Sequence, residues 1–379
     1  MKRAYLDNAA TTPMAPEVVE AMIPVLRGQF GNPSSTHGFG REVKGLLETA
    51  RRNVAKHLNV TPGEIIFTSG GTEADNLALT AAVRDLDVER IITTPIEHHA
   101  VGHTVDELQR IGLAEIVHVN LNDEGCVDLA DLEALLSGSD QKTMVCLMHA
   151  NNEIGNLLPI EQVGEMCRAH GALFHSDTVQ TMGHYAFDLS AFPIDFITCA
   201  AHKFHGPKGV GFLYVNKALH IKPLIMGGSQ ERGFRAGTEN VYGIVGLSKA
   251  MDLAFEDLEE HQKHVQGLKS YMMDQLLETL GDVQFNGTCS TESKSLYTVL
   301  NVMLPPTNKA DMLLFNMDIM GVACSGGSAC TSGSNQGSHV LAGIGVQSDR
   351  PSVRFSFSRY TSKEEIDLAV AALQKIYAN

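Results

Sequence analysis

The sequence predicts an α/β fold, with a wide, mostly parallel sheet layered with helices, and a second, smaller α+β domain. Three observations predict it. Seven short β-rich runs recur between residues 64 and 215. Stretches with helical apolar spacing lie between several of them. Beyond the last run, a long amphipathic stretch leads into a different set of strands that closes on a final helix.

The strand-like runs are "EIIFTS" (64–69), "RIITTP" (90–95), "EIVHVN" (115–120), "TMVCLMH" (143–149), "ALFHSD" (172–177), "FITCAA" (196–201) and "VGFLYV" (210–215). Each is short and rich in β-branched or aromatic residues, and together they make one wide sheet. Helical spacing follows the first run in "TEADNLALTAAVRD". It returns in "IEQVGEMCRAHG", which ends on a glycine where a helix C-cap wants one. The stretch from about Gly243 to Gly281 reads as the helix leaving the large domain. "SLYTVLNVML", "GVACSGGSACTSG" and "SVRFSFS", followed by the helix "KEEIDLAVAALQKIYA", form the smaller unit. The reading assigns 15–250 to a large cofactor-binding domain. Residues 1–14 and 251–379 fall to a small domain that carries a cysteine loop at about 322–336.

Bulk properties narrow the function. A chain of 379 residues, 44% hydrophobic, can bury a large core. A net charge of −15 with no basic stripe argues against nucleic-acid binding. The N-terminal "MKRAYLDNAATTP" turns polar after six residues, and no later apolar run approaches a membrane span. A cytoplasmic protein without a membrane anchor is the expectation. The seven cysteines form no CxxC pair or zinc spacing, which suits reduced thiols. Cys146 and Cys199 sit in apolar runs and read as small core residues. Cys330 sits in "SGGSACTSGS", a stretch that cannot pack a core.

The chemistry begins at "IIFTSGGTEADNLAL". A strand runs through a Gly-Gly turn into a helix opened by Thr72 and Glu73, so free N–H groups and the helix dipole can hold a phosphate. "FHSDTVQ" ends a strand on Asp177, with Gln180 close behind, and "AAHKFHGPKG" ends the next on His202 and Lys203. Neighbouring strands deliver a carboxylate and an amine to one edge of the sheet, where α/β ligand sites form. Phosphate turn, carboxylate and lysine together are what pyridoxal 5'-phosphate requires: the lysine bonds the aldehyde and the carboxylate keeps the ring nitrogen protonated. "EHHAVGH" places His99 and His103 four apart, but Ala100 stands where a zinc protease has glutamate and no third ligand is evident, so no metal site is read.

"YLDNAATTP", "GNPSSTHGFG", "SGGTEADN", "EHHA", "MHANNEIG", "HSDTVQ", "HKFHGPKG", "RAGTEN" and "SACTSG", in this order, resemble a cysteine desulfurase of the nitrogen-fixation and iron–sulfur-cluster (NifS/IscS) type, among the class V aminotransferase-like enzymes. The resemblance runs from residue 5 to about 368. It implies a pyridoxal phosphate fold of type I, a homodimer, and conversion of L-cysteine to L-alanine with the sulfur left as an enzyme persulfide. By the resemblance, Lys203 holds the cofactor, Asp177 faces the pyridine nitrogen, and Gln180 and Asn152 bond the ring-hydroxyl side. His98 stacks on the ring and shuttles protons. Gly71, Thr72 and His202 hold the phosphate, and Thr238 reaches in from the partner subunit. Asn152 and Arg354 bind the substrate, with the guanidinium clamping its carboxylate. The family often has serine where this chain has Ala200, which removes a phosphate contact and implies weaker cofactor retention.

The same cofactor residues would serve an aminotransferase or a selenocysteine lyase. Cys330 separates the readings. A thiol in a glycine- and serine-rich loop suits a nucleophile that enters the site and then carries sulfur away, to a sulfur-acceptor or iron–sulfur scaffold protein.

Overall fold

A computed structural model describes residues 2–326, 337–346 and 350–378. In chain order its strands and helices are β1 (Ala4–Tyr5), α1 (Pro16–Gly28), α2 (Gly38–His57), β2 (Ile65–Thr68), α3 (Gly71–Asp85), β3 (Arg90–Thr93), α4 (His99–Arg110), β4 (Glu115–His118), α5 (Leu129–Ser137), β5 (Thr143–Cys146), α6 (Ile160–Ala169), β6 (Leu173–Asp177), β7 (Phe196–Ala200) and β8 (Gly211–Val215). Then come α7 (Val241–Phe255), α8 (Leu258–Leu280), β9 (Gln284–Phe285), β10 (Val299–Met303), α9 (Leu313–Ile319), β11 (Val322–Ala323), α10 (His339–Gly343), β12 (Ser352–Ser356) and α11 (Lys363–Ala378).

All seven expected runs join one sheet in the order β2-β8-β7-β6-β5-β3-β4. Strands β3 to β7 pair in parallel, and β8 runs antiparallel between β7 and β2. Side chains alternate between two apolar layers, as strand pleating requires. Phe67, Ile92, Val145, Ile197 and Phe212 face the core built with α1, α2, α6 and α7. Ile66, Ile91, Met144, Phe196 and Leu213 face the core built with α3 and α4. Coverage of both faces explains why these strands read as unbroken apolar runs.

A separate core gathers Ala4 and Leu6 with apolar residues of α8, β10, β12 and α11. Its three-stranded antiparallel sheet has the order β12-β10-β9, while β1 pairs in parallel with β11. The N-terminal segment therefore begins in this second core. It then crosses to the large sheet, where the backbone of Thr12 donates to His202 O at 2.9 Å and that of Ala15 to His205 O at 3.0 Å.

One expectation changes. The stretch from Gly243 to Gly281 forms two helices, α7 and α8, divided at Asp257, whose φ of 46° is left-handed. Helix α7 packs in the first core, and α8 places Val265, Leu268, Met272 and Leu276 in the second. Glu256 and Asp257 are polar residues that fit the exposed face of one long helix as readily as a turn, so apolar spacing alone conceals the break.

Candidate active site

The site forms at the C-terminal edge of the parallel strands. Helix α3 starts immediately after β2 through Gly70, whose φ of 154° lies where L side chains rarely go. No side chain caps this helix, so its first-turn amides have no competing side-chain acceptor. A Cβ at Gly71 would stand 2.8 Å from Val179 Cγ2, so glycine permits the close approach of this turn to the loop after β6. Gly71, Thr72 and the buried Ala200 all border one cavity, and the absent serine hydroxyl at Ala200 would have stood on its wall beside Gly71.

Strands β6 and β7 are parallel neighbours, which brings Asp177 and the Lys203 turn to the same edge. Asp177 is 5% exposed, and its Oδ1 accepts the Val179 N–H at 2.8 Å. Burial first, and Asp75 second, push its pKa up to about 6 against the opposing pull of His98 and His175. Lys203 Nζ donates to the Ala9 carbonyl at 2.6 Å and the Ala10 carbonyl at 2.9 Å. Gln180 Nε2 donates to the same Ala9 oxygen at 3.0 Å. His202 Nδ1 lies 3.0 Å from Thr11 Oγ1, and burial, then Lys203 and Lys208, push its pKa down to about 4. The buried Thr12 completes the crossing: its hydroxyl donates to His202 O at 3.0 Å and accepts from His205 N at 2.8 Å.

His98 is the N-cap of α4. Its Nδ1 accepts the Ala100 N–H at 3.2 Å, so the neutral ring carries its proton on Nε2. Burial lowers its pKa, Asp177 raises it, and Lys203 lowers it again. Arg354 lies in β12 and is 1% exposed. Nη1 donates to Asn152 O at 2.9 Å and Nη2 to Asp7 Oδ1 at 2.9 Å. The Ser325 hydroxyl donates to the same Asp7 oxygen at 2.7 Å, and the Arg354 amide donates to Ser325 O at 2.6 Å. The start of the cysteine loop, at Ser325, is thus pinned to the strand of Arg354.

Gly71, Thr72, His98, Asn152, Asp177, Gln180, His202, Lys203 and Arg354 all line a single cavity of about 210 Å³. A larger one, about 430 Å³, lies beyond Met148, but none of the expected site residues borders it. Thr238 is exposed and lies outside the cavity of its own chain. Cys330 lies outside the described residues, while Cys146 and Cys199 are wholly buried. His99 and His103 stack with ring centroids 4.9 Å apart.

Sequence reasoning missed three contributors. The Ala9 and Ala10 carbonyls carry no side-chain signal. Asp75 does carry one, since it stands four residues after Gly71 on the same face of α3 and borders the cavity. It is buried beside His175 Nε2, 3.3 Å away, and burial pushes its pKa up to about 7 against the opposing pull of the Thr198 hydroxyl. Two buried carboxylates within 4.8 Å of each other, an uncapped helix N-terminus and a lysine at one cavity fit pyridoxal phosphate: a protonated ring nitrogen answers the first and a phosphate the second.

A family model described as aminotransferase class-V matches residues 4–369. A putative cysteine desulfurase IscS 1 of Bacillus subtilis (strain 168) is 44% identical over 374 residues, covering 97% of each chain. A solved NifS-like protein superposes with a TM-score of 0.90 at 38% identity over the whole of both chains. A structure of SspA in complex with cysteine matches at a TM-score of 0.82 and 30% identity, over 95% of this chain and 100% of that one. The chain belongs to the class V aminotransferase family and, within it, to the cysteine desulfurases.

Proposed function

We propose that this chain moves sulfur from L-cysteine to its own Cys330. L-cysteine and the Cys330 thiol become L-alanine and a Cys330 persulfide, with pyridoxal 5'-phosphate as cofactor. The Cβ–S bond of the substrate breaks, an S–S bond forms on Cys330, and the thiol proton is returned to the carbon skeleton, so no outside oxidant or reductant is needed. The observation that carries the reading is the meeting of the Lys203 amine, the Asp177 carboxylate and the Arg354 guanidinium around one cavity. The complex of the SspA relative with cysteine supports cysteine as the substrate.

The chain's own residues divide the work. Gly71, Thr72 and His202 would hold the cofactor's phosphate, Asp177 its ring nitrogen, Gln180 and Asn152 its hydroxyl side, and Lys203 its aldehyde. When bound, pyridoxal phosphate supplies a covalent hold on the substrate amine and a ring that accepts electrons released at the α-carbon. Arg354, fixed by Asn152 O and Asp7, offers its remaining donors to the substrate carboxylate. His98 is kept neutral by burial with its proton on Nε2, so it can take a proton at Nδ1 once the Ala100 amide releases that nitrogen, and the imidazolium so formed can give one back from Nε2. Cys330 is the nucleophile toward the substrate sulfur.

The finer reading is a cytoplasmic homodimer that passes sulfur to an acceptor protein for iron–sulfur cluster assembly or another thiolation. Thr238, exposed and away from its own cavity, supports a role in the partner's site. Among the described residues no helix is long and apolar enough to cross a membrane. The separate cores support a large and a small domain close to the expected 15–250 and 1–14 with 251–379, with the boundary moved past the end of α7, since Met251 and Ala254 pack in the large core. Addition of L-cysteine to purified protein, with alanine and protein persulfide measured together, tests the central activity. Equal amounts in a single turnover are expected; alanine with no persulfide contradicts it.

A further inference from the structure

Asp75 is a carboxylate that the reaction above does not use. It is 1% exposed. Its nearest polar neighbours are His175 Nε2 at 3.3 Å and the Thr198 hydroxyl. His175, wholly buried on β6, sits 3.0 Å from Cys146 Sγ through Nδ1 and 3.1 Å from Thr198 Oγ1 through Nε2. A carboxylate oxygen of Asp75, one of Asp177 and a ring nitrogen of His98 all lie within 4.8 Å of one another. The other titratable groups whose charge acts on this region are Glu97, Cys146, Cys199 and, by way of His98, Lys203, His99 and His339.

Two buried carboxylates at this separation repel, and a buried carboxylate met only by neutral groups is costly in itself. His175 cannot relieve either, because burial pushes its pKa down to about 4 and leaves it neutral. A positive charge held at Asp177 relieves both. We propose that Asp75 is a positioning residue for the cofactor's ring nitrogen, a second carboxylate behind Asp177 that strengthens the site's preference for a protonated pyridine ring. His175 and Thr198, with Cys146 on the far side of the imidazole, flank it. The inference rests on the reading of Asp177 as the ring-nitrogen partner.

The test is direct binding to apoprotein, with no turnover. Dissociation constants are measured by fluorescence for pyridoxal phosphate and for deazapyridoxal phosphate, which has carbon in place of the ring nitrogen; their ratio reports the ring nitrogen alone. At about pH 8, where both carboxylates are charged, Asp75→Asn should lower the preference for pyridoxal phosphate about tenfold and leave deaza-analogue affinity unchanged. At about pH 5.5, where Asp75 holds a proton, the loss should shrink. Asp177→Asn should remove most of the preference at both. An unchanged ratio in Asp75→Asn, or an equal fall in both affinities, overturns the proposal while a collapse in Asp177→Asn leaves the Asp177 reading standing. An unchanged ratio in Asp177→Asn overturns both. Asp75→Ser, a smaller side chain, gives the same comparison if the asparagine variant does not fold.

Discussion

Lys203 Nζ lies 2.6 Å from the carbonyl oxygen of Ala9, and that oxygen also accepts from Gln180. A residue at the start of the chain thus holds the amine proposed to carry the cofactor, together with a side chain expected on the ring-hydroxyl side. The crossing segment needs backbone carbonyls and small side chains here, and "NAATTP" supplies both.

Lys203 and not Lys208 should carry the cofactor. The purified protein should be yellow, borohydride should fix the cofactor to the peptide containing Lys203, and Lys203→Ala should purify colourless. Lys208 lies in "GPKG", a turn better suited to shaping the loop than to holding a buried amine. Attachment at Lys208 contradicts the assignment.

Arg354→Lys should keep the yellow cofactor and raise the KM for L-cysteine about tenfold to a hundredfold. A lysine keeps the charge but cannot present a planar fork to a carboxylate while also bonding Asn152 O and Asp7. Steady-state kinetics beside the absorption spectrum decide it. Loss of the cofactor with KM unchanged places Arg354 elsewhere in the chemistry.

His149 should make stability pH-dependent. It is 8% exposed, its Nδ1 lies 2.9 Å from Thr181 Oγ1, and burial pushes its pKa down to about 4. The unfolded chain takes up its proton near pH 6.5, whereas the folded chain resists until about pH 4. The stability this neutral histidine provides is whole above pH 6.5 and is lost as pH falls toward 4. His149→Gln does not titrate, so the Tm gap between native chain and variant should narrow by a few degrees between those limits. A constant gap in calorimetry contradicts a buried neutral His149.

Much of this was legible in the residues, and the exceptions have physical causes. Six of the strands are readable because a sheet covered on both faces needs unbroken apolar runs, the edge strand β4 by its short β-branched run alone, and Asp177 and Lys203 stand out as charges at the ends of such runs. Asp257 hid the division of α7 from α8 because a polar residue on an exposed helix face and one in a left-handed turn look alike. Asp75 is hidden because a carboxylate within "GGTEADN" reads as solvated surface until the sheet is folded beneath it. The Ala9 and Ala10 carbonyls had no side-chain signature at all. Cys330 was legible by its setting, since "SGGSACTSGS" has nothing with which to bury a thiol, and it lies outside the described residues.

Shared sites follow from the proposed role of Thr238. Lys203→Ala and Thr238→Ala should each be inactive alone, yet mixing them should restore part of the activity through hybrid dimers that hold one intact site. Sedimentation should show a dimer. Absence of complementation, or a fully active monomer, contradicts a contribution of Thr238 across subunits.

The most direct test of sulfur transfer from L-cysteine to Cys330 is a single turnover of native chain and Cys330→Ala, with alanine quantified and the mass of the 322–336 loop peptide recorded. The native peptide should gain one sulfur atom for each alanine formed. Cys330→Ala should keep the yellow cofactor, since Lys203, Asp177 and Arg354 are untouched. It should still bind L-cysteine but make alanine slower by orders of magnitude, with no sulfur on the loop. Cys324→Ala, six residues earlier and pushed up to about pKa 12 by burial, should behave as the native chain. Alanine and free sulfide released by Cys330→Ala at the native rate contradicts the account and identifies a lyase that needs no thiol.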